Sequence, residues 1–123
     1  MTPLAIACQL LIALGIFNVW VLRAGRPTRW RPEGAADMAE EFRRYGFPDW
    51  VRPWVGAAKL SLAVLLVVGI WVSELAAAAG LAMALFMAVA VGAHFKVGDP
   101  PVRALPSFTL LALSLFVAWA NAT

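Results

Sequence analysis

Twenty consecutive residues, Leu75 to His94, carry no polar side chain except the histidine that ends them. At ~1.5 Å per residue, a helix of that length reaches about 30 Å, the thickness of a bilayer's hydrocarbon core. A helix on the surface of a soluble protein sets polar residues opposite its apolar stripe. Here the opposite face is Leu, Met and Phe. Within the run, Ala76, Gly80, Ala84, Ala88 and Gly92 recur at every fourth position as a small-residue ridge. Helices in lipid gain nothing by hiding apolar surface from one another, so they associate where small residues let backbones approach. The ridge is expected to be a packing face, and the stretch one helix of a membrane bundle.

Three further apolar runs accompany it, and the spans are expected at about 4–22, 50–72, 75–94 and 104–120. With 63% hydrophobic and 14% charged residues, 123 residues cannot cover their apolar surface as a soluble domain. The first run is too long for the core of a signal peptide and lacks a basic start, so it is expected to stay in the mature protein. Trp20, Trp50, Trp54, Trp71 and Trp119 stand near run ends, where aromatic belts form. Ser73-Glu74 reads as a very short turn that makes the second and third spans a hairpin. The predicted fold is all-α: one domain, an integral membrane antiparallel four-helix bundle.

Residues 23–49 form the predicted hydrophilic loop. Seven arginines (23, 26, 29, 31, 43, 44, 52) and five carboxylates (33, 37, 40, 41, 49) fall between residues 23 and 52. The middle of the loop reads as a short amphipathic helix from about Glu33 to Tyr45. Ala35, Met38, Phe42 and Tyr45 share one face, while Asp37, Glu40, Glu41 and Arg44 face away. Gly46 and Pro48 stop it, and Asp49 is expected to cap the second span. Such a helix lies on lipid headgroups or folds over the bundle mouth. The carboxylates nearly cancel the arginines and no binding motif accompanies them, so nucleic acid is not an expected partner. Lys96 and Arg103 lie in the third connection and Lys59 within a span, while the middle turn and both tails hold no basic residue. By the positive-inside rule the first and third loops are cytoplasmic and both termini lie outside.

That topology gathers Asn18, Lys59, His94, Ser107 and Thr109 into the cytoplasmic half of the bundle, with Asp99 just outside and Arg52 at the rim. Lys59 stands roughly 10 Å above the start of its span. An ionised lysine facing lipid costs on the order of 3 kcal/mol at mid-helix, so Lys59 faces the interior or snorkels. Gly56 and Ala63 on its face are small and leave room for a ligand or another helix. Lys59 and His94 are the candidate catalytic residues. Asn18, Lys59, His94, Ser107 and Asp99 are the candidate ligand-binding set. One His without neighbouring Cys or carboxylate spacing makes no metal site. The lone Cys8 excludes dithiol chemistry within the chain. Small multidrug transporters need a carboxylate inside a span, and the spans contain none.

The segments Phe42-Arg43-Arg44-Tyr45-Gly46-Phe47-Pro48-Asp49-Trp50, Gly56-Ala57-Ala58-Lys59-Leu60 and Ala79-Gly80-Leu81-Ala82-Met83, followed by His94 and Gly98-Asp99-Pro100, resemble the DoxX-like family of small bacterial membrane proteins. The resemblance implies a four-helix membrane protein of the bacterial inner membrane. Through some relatives it implies a link to quinone-dependent or oxidative-stress redox systems. Many members carry a carboxylate where this chain has Lys59, so a carboxylate mechanism does not transfer.

The first functional expectation is a bundle that holds a hydrophobic small molecule, a quinone or a terpenoid, and supports a soluble oxidoreductase docked on the cytoplasmic loop. The second is an intramembrane acid–base isomerase or cyclase in which Lys59 and His94 move a proton on a lipid-like substrate. The third is a structural or assembly partner of another membrane protein, or a homo-oligomer, packed through the small-residue ridge.

Overall fold

The computed structural model describes residues 2–25, 30 and 35–122. Thr2 accepts the Ala5 amide with its hydroxyl at 3.2 Å and opens α1, Pro3–Phe17, with the proline where its missing N–H costs nothing. The helix runs on into a π-helical turn, Asn18–Leu22, closed by the Arg23 amide donating to the Asn18 carbonyl at 2.9 Å. A short helix, α2, spans Met38–Arg44. Then come α3, Val51–Val68, and α4, Ser73–Lys96. A 3₁₀ turn, Pro101–Ala104, leads into α5, Leu105–Ala122.

Four of these segments are long and apolar enough to cross a membrane: Pro3–Leu22, Val51–Val68, Ser73–Lys96 and Pro101–Ala122. The span α1 packs on α3 and α5, and α4 packs on the same two, so the four close into a ring. Its centre is filled by Ile12, Ile16, Leu66, Met83, Met87 and Val117. The fold is an all-α membrane helical bundle with a short helix between its first two spans.

Several boundaries differ from the sequence-based expectation. The helix α2 begins at Met38, because Asp37 caps it by accepting the Glu40 amide at 2.9 Å while Glu40 accepts the Ala36 amide at 2.8 Å. Ala35 and Ala36 therefore lie outside the helix, and the expected start at Glu33 lies outside the described residues, as do Arg26, Arg29 and Arg31. Asp49 does not cap α3. The N-cap position is Trp50, and the Asp49 carboxylate instead accepts from Arg43 Nε at 3.0 Å. The hairpin turn comes earlier than Ser73-Glu74, which begin α4. It turns at Gly69, where a Cβ would stand 2.8 Å from the Ala76 Cβ and 2.9 Å from its backbone. Only glycine lets the two helices meet so closely there.

The ridge on α4 is used for half its length. Ala76, Gly80 and Ala84 are buried, and a Cβ on Gly80 would lie 3.1 Å from the Ala118 amide and the Ser114 carbonyl of α5. Ala88 and Gly92 are exposed. A four-residue repeat on a helix of 3.6 residues per turn drifts by about 40° each step, so it cannot face one neighbour throughout.

Candidate functional site

Two helix ends of the same design meet at the α2 end of the bundle. The helix α2 finishes in a Schellman motif: the Phe47 amide donates to the Phe42 carbonyl at 3.1 Å, the Gly46 amide to the Arg43 carbonyl at 3.0 Å, and Gly46 takes φ +89°. The helix α4 finishes likewise. The Asp99 amide donates to the His94 carbonyl at 3.0 Å, the Gly98 amide to the Phe95 carbonyl at 3.1 Å, and Gly98 takes φ +74°. In this motif the residue after the glycine folds back onto the one five positions earlier, commonly as an apolar contact. In α2 that pair is Phe47 on Phe42, with ring centroids 5.8 Å apart. In α4 it is Asp99 on His94, with Oδ2 2.7 Å from Nδ1 and both side chains buried. Gly98 thus brings a carboxylate back to the histidine.

Tyr45 joins the two ends. It is 4% exposed, and its hydroxyl donates to Glu41 Oε2 at 2.6 Å while standing 3.3 Å from His94 Nε2 and 3.4 Å from Nδ1. Because Nδ1 is engaged by Asp99, Nε2 is the nitrogen left to the hydroxyl. Lys96 fastens the junction from α4 by donating to the Tyr45 carbonyl at 3.0 Å. Arg103 Nη1 lies 3.8 Å from the second Asp99 oxygen. The result is one line of side chains, Glu41–Tyr45–His94–Asp99. A proton on each imidazole nitrogen serves Asp99 and the tyrosine oxygen and leaves the phenolic proton to Glu41. A continuous line of ionisable side chains has the connectivity of a proton relay.

Lys59 lies one aromatic layer away. It is 8% exposed, and Nζ stands over the Trp20 ring, 5.6 Å from its centroid. Among the described residues no carboxylate comes within ion-pair distance of it. The Trp20 ring occupies the place a Cβ on Gly56 would take, 2.7 Å from its nearest ring atoms. The room expected beside Gly56 is thus filled by Trp20, which is half-buried and turned inward instead of serving in a belt. Trp20 meets Phe42 edge-on at 5.7 Å, and Phe42 meets Tyr45 at 6.2 Å. An aromatic contact path therefore runs from Lys59 to the relay.

Of the sequence-derived candidates, the structure brings His94 and Asp99 into direct contact and buries Lys59, which is linked to them only through Trp20, Phe42 and Tyr45. Asn18 lies in the π turn, and its Oδ1 accepts from Arg23 Nε at 3.1 Å. Ser107 is half-buried in the first turn of α5. Neither hydrogen-bonds Lys59, His94 or Asp99 among the described residues. Sequence reasoning missed Glu41, expected to face away from the bundle, and Tyr45, expected to be only part of an apolar face. The spacing of Glu41 and Tyr45, four apart on one helix, was the available signal for that pair. His94 and Asp99 around a Gly98 stop was the signal for the other. Among the described residues no three His, Cys, Asp or Glu side chains group closely enough to hold a metal ion.

The family model for the DoxX-like family matches residues 30–117, which include α2, Lys59, His94 and Asp99. No curated protein and no solved structure matches the chain. A matched region that holds most of the chain, on four apolar helices able to cross a membrane, identifies a multi-pass membrane protein, and the chain belongs to the DoxX-like family.

Proposed function

We propose that the α2 end of the bundle binds the polar head of a hydrophobic small molecule, a quinone or a terpenoid, and exchanges a proton with it. The buried line Glu41–Tyr45–His94–Asp99 carries this reading. A buried run of ionisable side chains paired with one another needs a reason beyond packing, because apolar residues of similar volume are often no less stable. The centre of the bundle is packed by Ile, Leu, Met and Val, so the head belongs at the mouth beneath α2. The donor set suits carbonyl oxygens: the Lys59 ammonium and, on the relay, the Tyr45 hydroxyl or the His94 ring. A bound quinone would supply paired electron and proton transfer. The chain's residues would orient its oxygen through Lys59 and pass a proton along His94 and Tyr45 to Glu41, the half-buried member of the line. The excess of basic residues at this end favours a cytoplasmic orientation in the bacterial inner membrane, with a soluble oxidoreductase as electron partner on the loop.

The test is to purify the chain in mild detergent, extract its lipids and titrate it with a short-chain ubiquinone. A copurifying quinone or terpenoid, or saturable binding weakened about ten-fold in Tyr45→Phe, is the expected result. That loss corresponds to one ordinary hydrogen bond. No extracted ligand together with no saturable binding overturns the proposal.

The same relay favours a second reading, acid–base isomerisation of an isoprenoid, because Lys59 and His94 are two proton-carrying groups at one bundle end. Product formation by membranes that express the chain, abolished by His94→Ala, separates turnover from binding alone.

A further inference from the structure

Outside the relay, α2 and the start of α3 enclose a cleft of about 210 Å³ lined by Ala39, Phe42, Arg43, Asp49 and Arg52. Its charges are incompletely matched. Arg43 donates Nε to Asp49 at 3.0 Å, which leaves its two terminal nitrogens without a protein acceptor among the described residues. Arg52 is half-buried, and its guanidinium has no protein acceptor among those residues. Two arginines therefore line a shared space with one carboxylate, itself occupied by one of them. The hydrogen bond and charge of Asp49 raise the Arg43 pKa above its ordinary value.

The fork of arginine matches two oxygens at once, and phosphate presents them from several directions. Position selects the source. Trp50 and Trp54, 65% and 72% exposed, flank Arg52 in sequence at the first turn of α3. Exposed tryptophans at the end of a spanning helix sit at headgroup depth. The backbone beside the cleft is held independently of any ligand by the Gly46 stop and by Lys96 on the Tyr45 carbonyl.

We infer that this cleft is a phosphate site, in which Arg43 and Arg52 hold the headgroup phosphate of an anionic membrane lipid while Asp49 sets the direction of Arg43. The site is separate from the relay, although Phe42 borders both, so it does not depend on the ligand proposed above.

The experiment places the full chain in nanodiscs of phosphatidylglycerol or phosphatidylcholine, releases it, and counts retained lipids by native mass spectrometry. A parallel arm titrates the detergent-solubilised protein with inorganic phosphate. The parent is expected to retain phosphatidylglycerol preferentially. Arg52→Gln should lower that retention about five-fold, the weight of one basic residue at an anionic surface. This variant removes no hydrogen bond or ion pair among the described residues, and unfolding of variant and parent is compared alongside to keep folding and binding apart. Arg44→Gln makes the same charge change on α2 outside the cleft and should leave retention near the parent level. Equal losses in both variants, or equal retention of the two lipids, overturn the assignment. Binding of inorganic phosphate without lipid preference overturns the lipid source.

Discussion

Both ends of the bundle bury polar side chains, but they use them in opposite ways. At the hairpin end, Gln9 is fully buried and its amide donates to the Leu66 carbonyl at 2.8 Å. That carbonyl belongs to the last turn of α3, where the helix supplies no partner because the Ile70 amide has turned to Val67. Asn121 donates to the Val117 carbonyl at 2.9 Å and lies 3.5 Å from Gln9 Oε1. Every strong acceptor there is backbone, and neither amide can change its charge. At the α2 end, Glu41, Tyr45, His94 and Asp99 pair side chain to side chain, and all four are ionisable residue types. Burial of polar groups is common to both ends. Only the identity of the partner separates a helix cap from a site.

The largest expected effect lies at the hairpin end, in Gly69→Val. Its Cβ would fall 2.8–2.9 Å from Ala76 atoms that include backbone, so α3 and α4 must part. A loss of about 3 kcal/mol is expected, at the upper end for overpacking, measured by unfolding in mixed micelles. Protein that remains folded should keep the His94 imidazole resonances of the parent. A change at His94 without a loss of stability would show that the two ends are coupled and that their contrast is false.

Gln9→Leu comes next. It fills the same volume but leaves the Leu66 carbonyl without a partner, which costs about 2 kcal/mol. Ligand binding at the other end should not change. A variant as stable as the parent would mean that this amide is not the cap its geometry indicates.

The contrast also marks what a reader of the sequence can see. Four spans are legible because length and hydropathy decide them almost alone. The position of the turn is not, since Gly69 is required by a contact with Ala76 that exists only after the hairpin has formed. His94 and Asp99 were legible as residues of interest, and the glycine between them is the local reason that they touch. Tyr45 meets His94 across 49 positions through a fold-over of α2 that no periodicity encodes. A helical wheel assigns Glu41 to the solvent face because it knows nothing of what covers the helix. Asn18 was expected to point into the bundle, but a π turn changes the register there and Arg23 takes its oxygen.

Gly98→Ala carries a smaller cost in stability and a sharper effect at the site. No atom lies within 4 Å of the added Cβ, so the penalty is the left-handed backbone alone, about 1 kcal/mol. Relief of that strain should carry Asp99 away from His94. The Nδ1 proton, held against Asp99 in the parent, should then exchange with water measurably faster by NMR. Unchanged exchange would mean that the histidine–aspartate pair does not depend on the helix stop.

The smallest expected change in stability belongs to Lys59→Met. Lysine gains a cation–π contact over Trp20 of about 1 kcal/mol and bears the cost of a buried charge with no carboxylate at ion-pair distance among the described residues. Methionine keeps the length and a favourable sulfur contact with the same ring. The unfolding free energy should therefore stay within about 1 kcal/mol of the parent, on the stable side. Retention of a quinone or terpenoid should fall at the same time, because the donor at the mouth is gone. A loss of stability as large as that of Gln9→Leu would show that Lys59 holds its end together as Gln9 holds the other. In that case the two ends would differ in charge but not in purpose.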